Sequence, residues 1–309
     1  MALFFTIQKS TSNQVPWGTP MFDALPIVVN CSILFTELPL LQRPAAAKAA
    51  GFAAVEFWWP FAESVPAPAD VEAFSSAIED AGVQLVGLNF AAGDMPAGDR
   101  GLVSWVGREE EFRANIAVAV GIGERLGVRA FNALYGNRIE NVAPREQDAV
   151  AVANLTAAAH AASSIGALVL IEPVSGAPRY PLLTAADVLT VIDTVHATSG
   201  VTNVRLLADL YHLAVNGDDV EAVITAHAGR IGHVQIADAP GRHEPGTGNL
   251  PLQRYLDSLA AAGYAGWVGL EYIPGTTTAR SFDWLPHDRR GPDRPRSVPA
   301  APQSEERKS

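Results

Sequence analysis

The 309-residue chain has a single cysteine, Cys31, which excludes an intramolecular disulfide and makes a reducing, cytoplasmic setting the expectation. Its three lysines, Lys9, Lys48 and Lys308, all lie away from the ends of apolar runs, which argues against Schiff-base chemistry. No Gly-x-Ser-x-Gly elbow joins an extended run to a helical one, so acyl transfer through a serine nucleophile is disfavoured. No segment approaches about 18 consecutive apolar residues, and the apolar opening at 2–7 is too short for a signal peptide, so no membrane association is expected. Positive charge is scarce: Lys+Arg 22 against Asp+Glu 33 gives a formal net charge of −11, a field that repels phosphate backbones and argues against a nucleic-acid partner.

What is present is apolar material, 48% of the residues, enough to bury a large core. Residues 1–25 lack clear periodicity and are read as a leader. From Pro286 onward the chain turns proline- and arginine-rich, so 286–309 is expected to be a disordered tail. Between them, eight apolar runs of strand length, at 27–33, 54–59, 84–90, 129–135, 168–173, 204–211, 231–237 and 267–272, alternate with helical stretches such as 45–50, 70–81, 109–126, 147–165 and 252–262. Gly51, Gly82, Gly127, Gly166 and Gly263 follow helical stretches and suit left-handed caps. Near-continuous apolar strands alternating with helices indicate a parallel sheet covered by helices, and eight repeats are the number that closes an α/β barrel, (β/α)8, over residues 26–285. An open doubly wound sheet is the alternative, because strand order is invisible in sequence.

A barrel places its chemistry at the carboxyl ends of the strands. Glu172, Asp209 and Glu271 end apolar runs there, and Gln235 ends a fourth. A carboxylate inside an apolar strand is costly unless paired, hydrogen-bonded or metal-bound. Three of them facing one point repel, and a divalent cation relieves that repulsion; an all-oxygen set favours a hard ion, Mg²⁺ or Mn²⁺. The competing reading is a polar layer satisfied by its own hydrogen bonds. Glu56 and Asn89 also sit near strand ends and are candidates for lining a substrate pocket walled by Trp58, Trp59 and Phe61, while Asp238 closes the run that carries Gln235 and is a further substrate-binding candidate. The glycines around 121–127 imitate a dinucleotide-binding pattern but fall within a helical stretch, so they are discarded. Exposed aromatics leave a homo-oligomer open.

At these residues the chain resembles the hydroxypyruvate isomerase family of xylose-isomerase-like barrels. The resemblance runs through NCSILFTELPLLQRPAAAKAAGFAAVEFWWPF (30–61), LNFAAGDMPAGDRGL (88–102), IEPVSG (171–176), LLADLYH (206–212), HVQIADAPGRHEPGTGNLP (233–251) and GLEYIP (269–274). It implies Glu172 and Glu271 as catalytic glutamates, and Glu172, Asp209, Gln235 and Glu271 as the metal positions. Ketose epimerases of the wider group have histidine where Gln235 stands. The chain departs from the family at Asn249, where glutamate is usual, and at Ile273, where a basic residue is common.

The implied reaction interconverts hydroxypyruvate and tartronate semialdehyde by proton transfer through an enediolate. His212 would bond a substrate oxygen, and Arg242 and His243 would hold the carboxylate of an acidic keto-sugar substrate. For Arg242 the competing reading is a loop salt bridge with Asp238 or Glu244. Rival enzyme readings are a 2-oxo-tetronate isomerase, a ketose 3-epimerase and, from another class, a retaining glycosidase. An apurinic endonuclease needs a histidine-rich zinc cluster and a basic groove, and both are missing from the sequence.

Overall fold

In a computed structural model, which describes residues 25–291, eight parallel strands pair each with the next, and the eighth returns to the first. The strands are β1 (Ile27–Asn30), β2 (Ala54–Phe57), β3 (Gln84–Asn89), β4 (Ala130–Asn132), β5 (Leu168–Ile171), β6 (Val204–Asp209), β7 (Ile231–Ile236) and β8 (Val268–Leu270). Closure through the β1–β8 pairing, Val28 opposite Gly269, removes the open-sheet alternative and every free sheet edge. The helices are α1 (Arg43–Ala49), α2 (Pro68–Ala81), α3 (Glu109–Leu126), α4 (Pro144–Ser163), α5 (Ala185–Ser199), α6 (Leu210–Asn216), α7 (Val220–His227) and α8 (Leu252–Ala261).

Local chemistry sets many of these boundaries. Pro68 and Pro144 open α2 and α4 at a position where no amide donor is needed, and Thr184 with Asp187 forms a reciprocal capping box on α5. Gly82 (φ 64°) and Gly127 (φ 76°) close α2 and α3 in the left-handed conformation expected of them. The strands are shorter than the apolar runs that carry them, because at the rim the chains splay into loops and lose their ladder partners. Outward-facing strand residues such as Val29 and Val55 join one continuous core with the helices, and Val28, Ala54 and Val86, with Trp267 against them, form a separate apolar cluster. Farther along the same strands come Asn30 and Glu56, so β1 and β2 turn from apolar to polar as they approach the carboxyl-end rim.

One boundary is corrected. The segment at 286–291, expected to belong to the tail, is ordered against the barrel: Arg290 donates to the carbonyls of Ala50, Phe282 and Leu285, and its guanidinium lies 5.4 Å from the Phe282 ring centroid. Guanidinium stacking and carbonyl bonds compensate there for the absence of aliphatic side chains. The rest of the expected tail, 292–309, and the expected leader up to residue 24 lie outside the described residues.

Candidate active site

Strand register brings the acidic residues together. Asp209 on β6 stands opposite Gln235 on β7, Gln235 stands opposite Gly269 on β8, and Glu271 and Glu172 each follow directly on the last residue of a strand. Ligand-capable atoms of Glu172, Asp209 and His212 lie within 4.8 Å of one another. Glu271 joins them through Arg242, whose Nη2 is 2.8 Å from Glu271 Oε2 and 3.6 Å from Asp209 Oδ2. All five side chains are largely removed from solvent, Asp209 completely.

The two glutamates differ in their partners. Glu271 Oε1 accepts hydrogen bonds from Trp58 Nε1 at 2.5 Å and Asn30 Nδ2 at 3.0 Å, and Oε2 accepts from Arg242. Glu172 Oε1 accepts from Asn132 Nδ2 at 2.7 Å. Burial raises both carboxyls: Glu172 is pushed up to about 7, with the Asn132 bond opposing the rise, and Glu271 stands well above the usual carboxylate range despite the neighbouring Arg242 cation.

Two buried oxygens at the ring have no hydrogen-bond partner. Asp209 Oδ1 caps α6 by accepting from the Tyr211 and His212 amides, while Oδ2 receives none. Gln235 donates through Nε2 to Glu56 Oε1, which leaves its own Oε1 without a donor. Unsatisfied oxygens within a group of carboxylates are the donor chemistry a hard divalent cation fits. His212 is less suited to that role. The Ser175 amide can only donate, and it points at Nδ1 at 3.1 Å, so in the neutral ring the proton is on Nε2. Burial lowers the His212 pKa to about 4, so the ring is neutral near pH 7 and offers an Nε2–H donor beside Asp209 Oδ2 at 3.5 Å.

The remaining predicted residues divide. Asn89 lines the cavity with Glu172, His212, Arg242 and Glu271. Arg242 pairs with neither loop acid, Asp238 or Glu244; its backbone is left-handed (φ 57°) and its side chain reaches Glu271. Asp238, expected at the substrate, is committed elsewhere: its two oxygens accept the amides of Ala239, Gly246, Gly248 and Leu250 and so organise the loop after β7. His243, expected at the substrate carboxylate, lies against the Ile273 carbonyl at 2.8 Å instead. Glu56, expected to line the pocket, is bonded to His233, Gln235 and Asn30. Sequence reasoning passed over Asn30 and Asn132, the amide donors to the glutamates; a polar side chain closing an otherwise apolar strand was the available signal. Trp58, expected as a wall of the pocket, is also a donor to Glu271.

Above the ring opens a cavity of about 1010 Å³, walled by Trp58, Trp59, Phe61 and Met95. A closed parallel barrel with a donor-lined acidic pocket at its strand ends is the architecture of a barrel enzyme. Residues 44–287 match the xylose isomerase-like TIM barrel family. A putative hydroxypyruvate isomerase of Streptomyces coelicolor is 58% identical over 84% of this chain and 94% of its own. The hydroxypyruvate isomerase of Escherichia coli is 34% identical over 83% of this chain and 96% of its own, and the 2-oxo-tetronate isomerase of Cupriavidus necator is 34% identical over 83% and 95%. Among solved structures, one from Brucella melitensis described as an AP endonuclease of family 2 superposes with a TM-score of 0.77, at 31% identity, over 84% of this chain and 98% of that one. The chain belongs to the xylose isomerase-like TIM barrel family and, within it, to the hydroxypyruvate isomerase family, and it is an isomerase. No helix among the described residues is long and apolar enough to cross a membrane.

Proposed function

We propose that the protein isomerises a small acidic keto sugar, with hydroxypyruvate and tartronate semialdehyde as the pair that best suits its site. The observation that carries this reading is the convergence of Asp209 and Glu271 on the Arg242 guanidinium, with Glu172 grouped beside Asp209, next to a cavity that Glu172, Arg242 and Glu271 line. One glutamate removes a proton from the hydroxymethyl carbon, and the electron pair moves onto the adjacent carbonyl oxygen to give the enediolate. The other glutamate returns a proton to the former carbonyl carbon. The hydroxyl proton ends on the former carbonyl oxygen, so the product is an isomer with no net redox change.

Carboxyls raised by burial suit both halves of this exchange, since a group with a pKa near 7 accepts and releases protons at neutral pH. His212 Nε2–H donates to a substrate oxygen, and Arg242 offers the substrate carboxylate a two-pronged contact. Glu172, Asp209, Gln235 and Glu271 would hold a divalent cation, Mg²⁺ or Mn²⁺, which would supply positive charge to offset that of the oxyanion. Asn30, Asn132 and Trp58 keep the two glutamates aimed while the substrate turns over.

Two observations favour a second substrate, a four-carbon 2-oxo-tetronate. The cavity leaves room beyond three carbons, and the relative from Cupriavidus necator is named for that substrate. The chemistry at the ring is unchanged. A ketose 3-epimerase fits less well, because Gln235 replaces the histidine of those enzymes. Comparing kcat/KM for hydroxypyruvate, 2-oxo-tetronate and a neutral ketose, with Mg²⁺, with Mn²⁺ and with chelator, tests the reading. The acidic substrates are expected to turn over only with the cation, and turnover of the neutral ketose alone would reject it.

A further inference from the structure

Beside the carboxylate ring, the barrel interior holds a buried polar cluster that the proposed proton transfer does not use. Its hub is Glu56 on β2, whose Oε1 accepts from Gln235 Nε2 at 2.8 Å and from Asn30 Nδ2 at 3.2 Å, and whose Oε2 lies 2.7 Å from His233 Nε2. The neighbouring strands leave space for this side chain. A Cβ at Gly269 would meet Glu56 Oε1 at 2.6 Å and Gln235 Cγ at 3.0 Å, and one at Gly87 would meet Glu56 Cβ at 3.3 Å.

The partners fix which way two amides face. Gln235 donates through its amino group to Glu56, so its Oε1 points away, to where it is buried without a donor. Asn30 is locked in the same way. Its Oδ1 accepts the Ser32 amide at 2.9 Å, so its amino group turns to the carboxylates and bridges Glu56 Oε1 and Glu271 Oε1, the latter at 3.0 Å. We propose that Glu56 is a positioning residue that holds the Gln235 oxygen toward the cation site and, through Asn30, sets the orientation of Glu271. This role rests on the reading that Gln235 is a cation ligand. Outer partners of this kind orient the ligands that touch a metal, and losing one typically weakens binding about 10–100-fold.

The test is the Mn²⁺ affinity of the chelator-stripped full chain, measured by titration calorimetry without substrate, with circular dichroism reporting the fold. E56Q is expected to weaken Mn²⁺ binding about tenfold or more. E56D, which keeps the charge but is one methylene too short to reach Gln235, is expected to do the same and serves if E56Q does not fold. In a Q235A background either substitution is expected to cost clearly less than it does in the wild-type chain, because only the arm through Asn30 to Glu271 is left to orient. Unchanged affinity in folded E56Q or E56D, or a loss that persists in full in the Q235A background, overturns the role while leaving the cation reading intact. If the wild-type chain takes up no Mn²⁺, the cation reading falls and this role falls with it.

Discussion

Glu172 and Glu271 share a strand-end position and a buried setting but not their hydrogen bonds. Glu172→Gln and Glu271→Gln are each expected to lower kcat by about three orders of magnitude or more, the scale of losing a proton-transfer group, with the circular dichroism spectrum unchanged. Combining them is expected to cost little more than either alone. Trp58→Phe removes one donor to Glu271 while keeping an aromatic wall. A hydrogen bond to a charged group contributes about 1.5–3 kcal/mol, so steady-state kinetics should show kcat falling by about tenfold or more. At this scale the acids were legible and their donors were not. A charge in an apolar strand is anomalous by itself, whereas Asn30 or Asn132 becomes meaningful only once a carboxylate from a distant strand is seen beside it.

Among the elements, the loop after β7 shows how a side chain can matter without reaching the cavity. Asp238 binds four backbone amides and thereby shapes the segment that carries Arg242 over the rim. Asp238→Ala is expected to raise KM about tenfold, the cost of one charge-assisted contact held out of place, with a smaller change in kcat. Initial-rate kinetics separate the two, and a selective collapse of kcat would assign Asp238 to the chemistry instead. Sequence placed Asp238 at the close of a strand; the structure puts it two residues past the end of β7, and the direction of its carboxylate was not legible. Strand position fixes the side a residue emerges on, while the loop that folds back over it decides its partners. The same limit explains His243, which turns to Ile273. The eight-fold alternation of strand and helix was legible because apolar runs and capping glycines are local signals; closure followed only indirectly, from the count of eight, and the pairing of β1 with β8 bears it out.

For the whole molecule, the site has a stability cost that pH should reveal. Glu172 titrates near 4.5 in an unfolded chain and near 7 in the fold, so the fold favours its protonated form. That contribution is complete below pH 4.5 and is lost as pH rises through about 7. Metal-free Glu172→Gln, which carries no charge, is therefore expected to melt above the wild type at pH 8, by on the order of 5 °C, with the gap closing toward pH 5. Thermal melts in chelator check this, and a gap that widens as pH falls would contradict the burial of an ionisable Glu172. The C-terminal segment teaches a related lesson about composition. Proline and arginine at 286–291 resembled a tail, yet Arg290 docks by its guanidinium on carbonyls and a ring, contacts that an apolar-area argument does not count.

The central claim is that two buried glutamates pass a carbon-bound proton beside a cation. Proton NMR of hydroxypyruvate incubated with the protein and Mg²⁺ or Mn²⁺ in D2O tests it most directly. Tartronate semialdehyde should form with deuterium entering at the exchanging carbons, and both product and label should vanish with chelator and in Glu172→Gln and Glu271→Gln. Interconversion that persists in both glutamine variants would contradict the account.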